Sequence, residues 1–374
     1  MLWHKAQGAG GAGALSWDTE TKITSSDAAT GDRFGWSVSI SGDYAIVGAY
    51  LDDDNGADSG SAYIYFRDNG VWTQQAKLTA SDGAAGDYFG VSVSISGDIA
   101  VIGAWRDNSD TGAAYVFTRS GTAWSQQAKL TASDASAGQA FGRYVAIDGD
   151  SIIAGVSLFS STDRAAYVFT RSGATWSQQA KLTVSGDLGF SFSVDIDGDS
   201  AVVGEREGFA GPGKAHVFTR SAGVWSLQDT VSPSDGATND NFGTSVSIAG
   251  DLLIVGSNFD DDVGSGTGAA YVFVRSGTTW SQQSKLTASD AVAGGAFGGS
   301  VSIEGDYAVV GSTGVDAAYV FRTSNWTEIA KLEPSDTPSS FGYSVGLSGT
   351  GIVIGDYNND GGATSSGSAY IFET

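Results

Sequence analysis

Two stretches of the chain set three aspartates in a row four residues after a glycine, with another glycine two residues further on. They read "GAYLDDDNGADSG" from Gly48 and "GSNFDDDVGSGTG" from Gly256, and a looser version, "GDYNNDGGATSSG", starts at Gly355. Closely spaced carboxylates followed by a glycine turn suit a hard, oxygen-seeking ion such as Ca²⁺. The candidate ligands are Asp52, Asp54 and Asp58 in the first stretch and Asp260 and Asp262 in the second, with backbone carbonyls and water completing the shell. Asp107 and Asp360 hold related places in two other loops. The spacing is not that of an EF-hand loop, whose glycine falls at position six. Aspartate-rich turns standing in solvent are the plainer alternative. Aromatic residues flank the same loops: Tyr50, Trp105, Phe259 and Tyr357. Such rings suit ligand binding, since a ring can carry the CH-rich face of a sugar while a nearby Asp accepts its hydroxyl hydrogens. They can equally plug the end of a sheet.

Catalytic chemistry has little to draw on. Of the two histidines, His4 lies in an end segment and His216 in a strand position that elsewhere holds Tyr. Neither accompanies a repeated Ser/Asp constellation, so a nucleophilic triad or a His-based metal site is unsupported. Asp195, Asp197 and Asp199 alternate in "VDIDGD" and read as a carboxylate pair or, more simply, as a solvated turn. "GAGGAGA" near the start lacks the Lys-Ser/Thr of a phosphate loop. Without cysteine there is no disulfide, thiolate nucleophile or Cys-based metal site. The expectation is a non-catalytic protein.

The elements that must position these loops can be read from repetition. Phe34, Phe89, Phe141, Phe190, Phe242, Phe297 and Phe341 each open a similar phrase, 44 to 55 residues apart. In "FGWSVSI", Val38 and Ile40 alternate with Ser37 and Ser39, the period of a strand. A tight "SGD" turn leads to "YAIVGA", a variable loop to "SAYIYFR", and a short turn to "VWTQQAKLTAS". Four antiparallel strands per unit, seven times over, predict an all-β, seven-bladed β-propeller of four-stranded antiparallel blades. Small Ser and Gly residues fit the crowded axis. Trp17, Trp72, Trp124, Trp176, Trp225, Trp280 and Trp326 share one repeat position and should fill the widening gaps at the rim. The chain opens on a fourth-strand phrase and ends on a third-strand one, so its N-terminal strand should complete the last blade and close the ring.

"FGWSVSISGDYAIVGA" resembles the FG-GAP repeat, found in integrin α-chain propellers and in many bacterial surface and secreted proteins. The resemblance covers residues 17–374 and implies the propeller fold. No copy has Pro after its "GA", and Ser191 replaces the Gly of the fourth "FG". Integrin-like repeats carry a calcium loop between strands one and two. Here that connection is only "SGD" or "DGD", too short for such a site.

Net charge is −23, from 19 basic and 42 acidic residues, which argues against nucleic acid or anionic membranes as partners. No apolar run approaches the roughly 18 residues that span a bilayer. Residues 1–16 read as a Gly/Ala-rich linker without signal-peptide features, whether the start is native, mature or excised. In a propeller the 2–3 and 4–1 connections emerge on one face, and here they are the most variable and most acidic. The expectation is an extracellular or secreted, monomeric adhesion or interaction module, alone or within a larger chain. It would bind a protein or glycan on a surface through that face, assisted by calcium. The alternatives are a multivalent lectin and a polysaccharide-acting enzyme.

Overall fold

The computed structural model describes residues 16–156, 164–184, 190–206 and 211–374. Residues 1–15 of the expected linker lie outside the described residues. Seven four-stranded sheets form the propeller, each antiparallel throughout. In the first blade the innermost strand is Ser37–Ser41, followed outward by Tyr44–Ala49, Ser61–Asp68 and Val71–Leu78. The seventh blade runs Ser344–Ser348, Gly351–Asp356, Ser368–Glu373 and then Thr19–Ile23, from the other end of the chain. Thr19 pairs with Glu373 and Ile23 with Ala369, so the N-terminal strand closes the ring as expected. No helix among the described residues is long and apolar enough to cross a membrane.

Each sheet buries both faces because it is flanked by two others. Seven apolar clusters result, one per interface between neighbouring blades. The repeated Phe is the centre of each: Phe34 and Phe341 are fully buried. They meet the third-strand tyrosines edge-on, Phe34 with Tyr63 at 5.4 Å and Phe341 with Tyr370 at 5.3 Å. The glycine after Phe has a steric reason. Gly90 has a positive φ of 93°, and its carbonyl sits where a Cβ on Gly48 of the preceding blade would be. The "FG" of one blade therefore presses against the "GA" of the last. Ser191 keeps the left-handed backbone, with φ at 73°, and its hydroxyl accepts a bond from Val156 N at 3.0 Å.

The alternating serines do more than save space. Ser37, Ser39 and Ser41 accept hydrogen bonds from Val93 N, Ile95 N and Gly97 N of the next blade at 3.0, 3.2 and 3.1 Å. Neighbouring innermost strands are too far apart for a backbone ladder, and the hydroxyls bridge them. In the fourth blade Asp195 and Asp197 take over, accepting from Ile248 N at 2.9 Å and Gly250 N at 2.6 Å. The "VDIDGD" carboxylates are thus part of this bridging row. Burial raises Asp195 to about 6.

The rim tryptophans also bridge blades. The indole N–H groups of Trp124, Trp176 and Trp280 donate to Gln75, Gln127 and Gln228 of the preceding blade, each at 2.9 Å. The accepting Gln sits on a bulge in the outermost strand, where Ile64 pairs with Ala76 but Tyr65 with Gln74. Where the chain has Ile329 instead, Trp17 turns to the Thr350 carbonyl at 2.8 Å.

Candidate functional site: the loop face and the mouth of the axis

The face carrying the 2–3 and 4–1 loops holds two kinds of site. The first repeats around the ring. In the first blade Asp27, from a 4–1 loop, and Asp52 and Asp54, from a 2–3 loop, bring one carboxylate oxygen each within 4.8 Å of one another. The Lys77 ammonium of the outermost strand lies among them, 2.6 Å from Asp27, 3.1 Å from Asp52 and 2.5 Å from Asp54. The Tyr63 hydroxyl bridges Asp27 and Asp52 at 2.9 and 2.8 Å. An ammonium of the chain thus stands among the three carboxylates whose spacing suits a metal ion.

The fifth blade repeats this arrangement. Lys285 reaches Asp235, Asp260 and Asp262 at 2.9, 2.9 and 2.6 Å, and Tyr271 bridges Asp235 and Asp260 at 2.9 and 2.6 Å. Asp107, buried in the second blade, is held by Lys129 at 2.9 Å and Tyr115 at 3.2 Å. The other candidate ligands stand apart from these lysines. Asp58 itself has left-handed backbone, with φ at 56°, and its N–H donates to Asp53 at 2.8 Å, while Asp360 accepts from Ser365 N at 2.7 Å. In the fourth blade His216 replaces Tyr. Its Nε2 lies 2.8 Å from Glu205 and its Nδ1 3.0 Å from the Thr230 hydroxyl.

These contacts set the ionisation. Burial alone would raise Asp27, but hydrogen bonds from Lys77 and Tyr63 prevail and lower it. For Asp134 and Asp290 the bond from Lys181 or Lys331 is the largest influence, and both carboxyls are lowered. Lys77 and Lys285 are held above the ordinary lysine value: burial opposes this, and the surrounding carboxylates outweigh it. Asp32, buried in the neighbouring turn, is raised to about 6 by burial.

The second site does not repeat. The residue after each "FG" is Trp36, Val91, Arg143, Phe192, Thr244, Gly299 and, last, Tyr343. All seven line one cavity of about 540 Å³ where the innermost strands begin around the axis. One wall is aromatic and cationic, from Trp36, Tyr343, Tyr144, Phe192, Arg143 and Arg206; the other is small and polar, with Thr244, Gly299, Asn258 and Thr313. The rings continue onto the loop face. Trp36 meets Tyr50 at 4.6 Å, Tyr343 at 4.7 Å and Tyr357 at 4.9 Å, and Tyr50 meets Tyr88 at 5.3 Å, which meets Trp105 at 5.8 Å.

Arginines punctuate this arc. Arg33 lies over Tyr357 at 5.4 Å, Arg106 over Tyr88 at 4.9 Å, Arg143 over Trp105 at 5.1 Å and Arg206 over Phe192 at 4.0 Å. Such stacking fixes a guanidinium in place while leaving its edge able to bond a ligand. Arg106 is further fixed by Asp110 at 2.9 Å, across a turn in which Asn108, Ser109 and Asp110 all have positive φ.

Of the four aromatic candidates, Tyr50, Trp105 and Tyr357 belong to this arc. Phe259 does not: it is 51% exposed and makes no ring contact among the described residues. Sequence reasoning missed Trp36, Tyr88, Arg143, Tyr144, Phe192 and Tyr343. For Trp36, Arg143, Phe192 and Tyr343 the available signal was the one variable position after the repeated Phe and the residue that follows it.

The opposite face is plainer. Arg171, Arg220 and Arg275 pair with the turn residues Asp150, Asp199 and Asp251 at 2.5, 2.6 and 2.6 Å, and these carboxylates are largely exposed. Pairs in such surroundings contribute little each.

An all-β propeller with this repeated Phe-Gly and Gly-Ala contact defines the class. The FG-GAP repeat family matches residues 17–65, 72–117, 124–169, 225–273, 280–321 and 326–372, and the chain belongs to that family. The segment between 169 and 225 that goes unmatched holds Ser191 and His216, the two departures described above. No curated protein matches the chain.

Proposed function

We propose that this propeller is a non-catalytic interaction module acting outside the cell, whose loop face engages a protein or surface polymer. One observation carries this reading: the half-buried arc of rings and arginines from Tyr357 through Trp36, Tyr50, Tyr88 and Trp105 to Arg143. Tyr, Trp and Arg are the residues that dominate binding energy at interfaces, the rings because they supply large contact areas with little entropy loss. They converge on one face of a rigid frame, beside variable loops, which is the usual division between scaffold and function. Ca²⁺ at Asp52 and Asp54 would have to displace the Lys77 ammonium, so in this reading recognition proceeds without calcium. Among the described residues the arc occurs once, which favours one extended site over the sevenfold sites of a multivalent lectin.

The test is retention of the protein on a panel of purified extracellular polysaccharides and matrix proteins. Wild type would be compared with a Tyr88→Ala/Trp105→Ala variant and with an Arg171→Gln/Arg220→Gln variant of the opposite face. Loss of retention in the first variant alone is expected. Loss in the second alone would move the site to the other face.

A further inference from the structure

We propose that the axial cavity binds an acidic sugar residue at a chain end, with Arg143 pairing its carboxylate. This inference rests on the loop-face reading and names the chemistry of its partner. Arg143 makes no ion pair among the described residues, although the chain carries 42 acidic residues against 19 basic ones. It lines a cavity of about 540 Å³, where a carboxylate would accept a paired hydrogen bond from its planar fork.

The remaining walls say what carries the carboxylate. Trp36, Tyr343, Tyr144 and Phe192 offer ring faces and edges on one side, suited to the CH-rich face of a pyranose. The opposite wall offers the Thr244 and Thr313 side chains, whose hydroxyls can pair with sugar hydroxyls as donors or acceptors. The volume lies within the roughly 300–1,000 Å³ of small-molecule sites. The shape also matters. The cavity is a pit around an axis, which admits a chain end, whereas an extended acidic peptide is commonly held along a groove or a free strand edge. The net charge of −23 disfavours a densely charged polyanion and suits a ligand with one or a few charges near the arginines.

The experiment is calorimetric or NMR titration of the full chain with three probes: methyl β-D-glucuronide, the neutral methyl β-D-glucoside, and N-acetyl-aspartyl-methylamide. The glucuronide should bind saturably, the glucoside at least about tenfold more weakly, as expected for loss of one charge-assisted pair, and the aspartyl probe more weakly too, since it has no pyranose face to lay on the rings. Arg143→Val should lower glucuronide affinity by about tenfold or more. That variant should fold, because the second blade has Val91 at the same position. Thr244→Trp, which borrows the first blade's residue to fill the pit, should also abolish binding. Arg171→Gln on the opposite face should leave it unchanged.

Absence of saturable glucuronide binding, or equal affinity for the glucoside, would overturn the proposal. Tighter binding of the aspartyl probe would do so too, and would assign the pit to an acidic peptide. If the glucuronide fails while the panel still retains wild type and loses Tyr88→Ala/Trp105→Ala, only this inference falls and the loop-face reading stands.

Discussion

The acidic clusters of the blades and the mouth of the axis lie on the same face, yet they are built on opposite principles. Around Lys77 and Lys285 every charge has a partner from its own chain: three carboxylates surround one ammonium, and a tyrosine hydroxyl bridges two of them. The arrangement recurs in several blades and ties the 4–1 loop, the 2–3 loop and the outermost strand together. At the mouth, Arg143 lies over Trp105 and makes no ion pair among the described residues, and each blade contributes a different residue after its repeated Phe and the position that follows. Satisfied, repeated polar groups hold a shape; on the proposed reading, the unrepeated ones meet a ligand.

Breaking the first kind of site should cost most. Lys77→Met leaves the buried Asp52 without its cation, and stripping one partner from such a pair costs about 3–5 kcal/mol. The half-exposed Asp27 and Asp54 should bring the loss toward the lower end, read as a fall in chemical-denaturation stability. The same variant sharpens the calcium question. With the ammonium gone, millimolar Ca²⁺ should raise the melting temperature of Lys77→Met more than that of wild type. Equal shifts in both would mean that calcium and lysine do not compete for these carboxylates.

A smaller effect is expected at the rim. Trp124→Phe keeps most of the buried ring but removes the indole N–H that bonds Gln75, a loss of about 1 kcal/mol. An unchanged unfolding midpoint would show that the interblade bond adds nothing beyond packing.

The pH profile should have two limbs. Asp27, Asp82, Asp134, Asp235, Asp290 and Asp336 are all held below the ordinary value of 3.8 in the folded chain. The stability they contribute is present above 3.8 and is lost as pH falls through their folded values. Asp32 and Asp195, raised to about 6 by burial, act in the opposite sense: protonation favours the fold, so stability increases as pH drops from neutrality through 6. Melting temperature should therefore peak between about pH 4 and 6 and decline below. A profile that rises steadily from pH 4 to 8 would contradict the assigned shifts.

What the sequence revealed follows the same division. The Phe-Gly phrase, the rim Trp and the N-terminal fourth strand are each legible because a contact needed in every blade leaves its mark seven times. The Lys of "KL" was equally visible, yet its role was not, since Asp27, Asp52 and Lys77 are brought together only by the fold. Spacing along a loop shows a row of aspartates but cannot show an ammonium arriving among them from another strand. The mouth was least legible. Beside repeated serines and valines, its lining takes one residue per blade, 44 to 55 positions apart, whose type differs in all seven. Tyr50, Trp105 and Tyr357 could be picked out as aromatic residues beside variable loops, while Arg143 and Tyr144 lie inside a strand phrase whose repetition draws attention to everything except the residue that changes.

The most direct test of this division pairs one variant from each region. Lys77→Met and Arg143→Val would each be assayed for melting temperature and, at a temperature where both are folded, for retention on whichever panel member holds wild type. The expected result is a crossover: Lys77→Met melts early but is retained, and Arg143→Val melts within about 0.5 kcal/mol of wild type, as substitutions away from special features do, but is released. Retention lost in Lys77→Met and kept in Arg143→Val would contradict the account and return function to the acidic clusters.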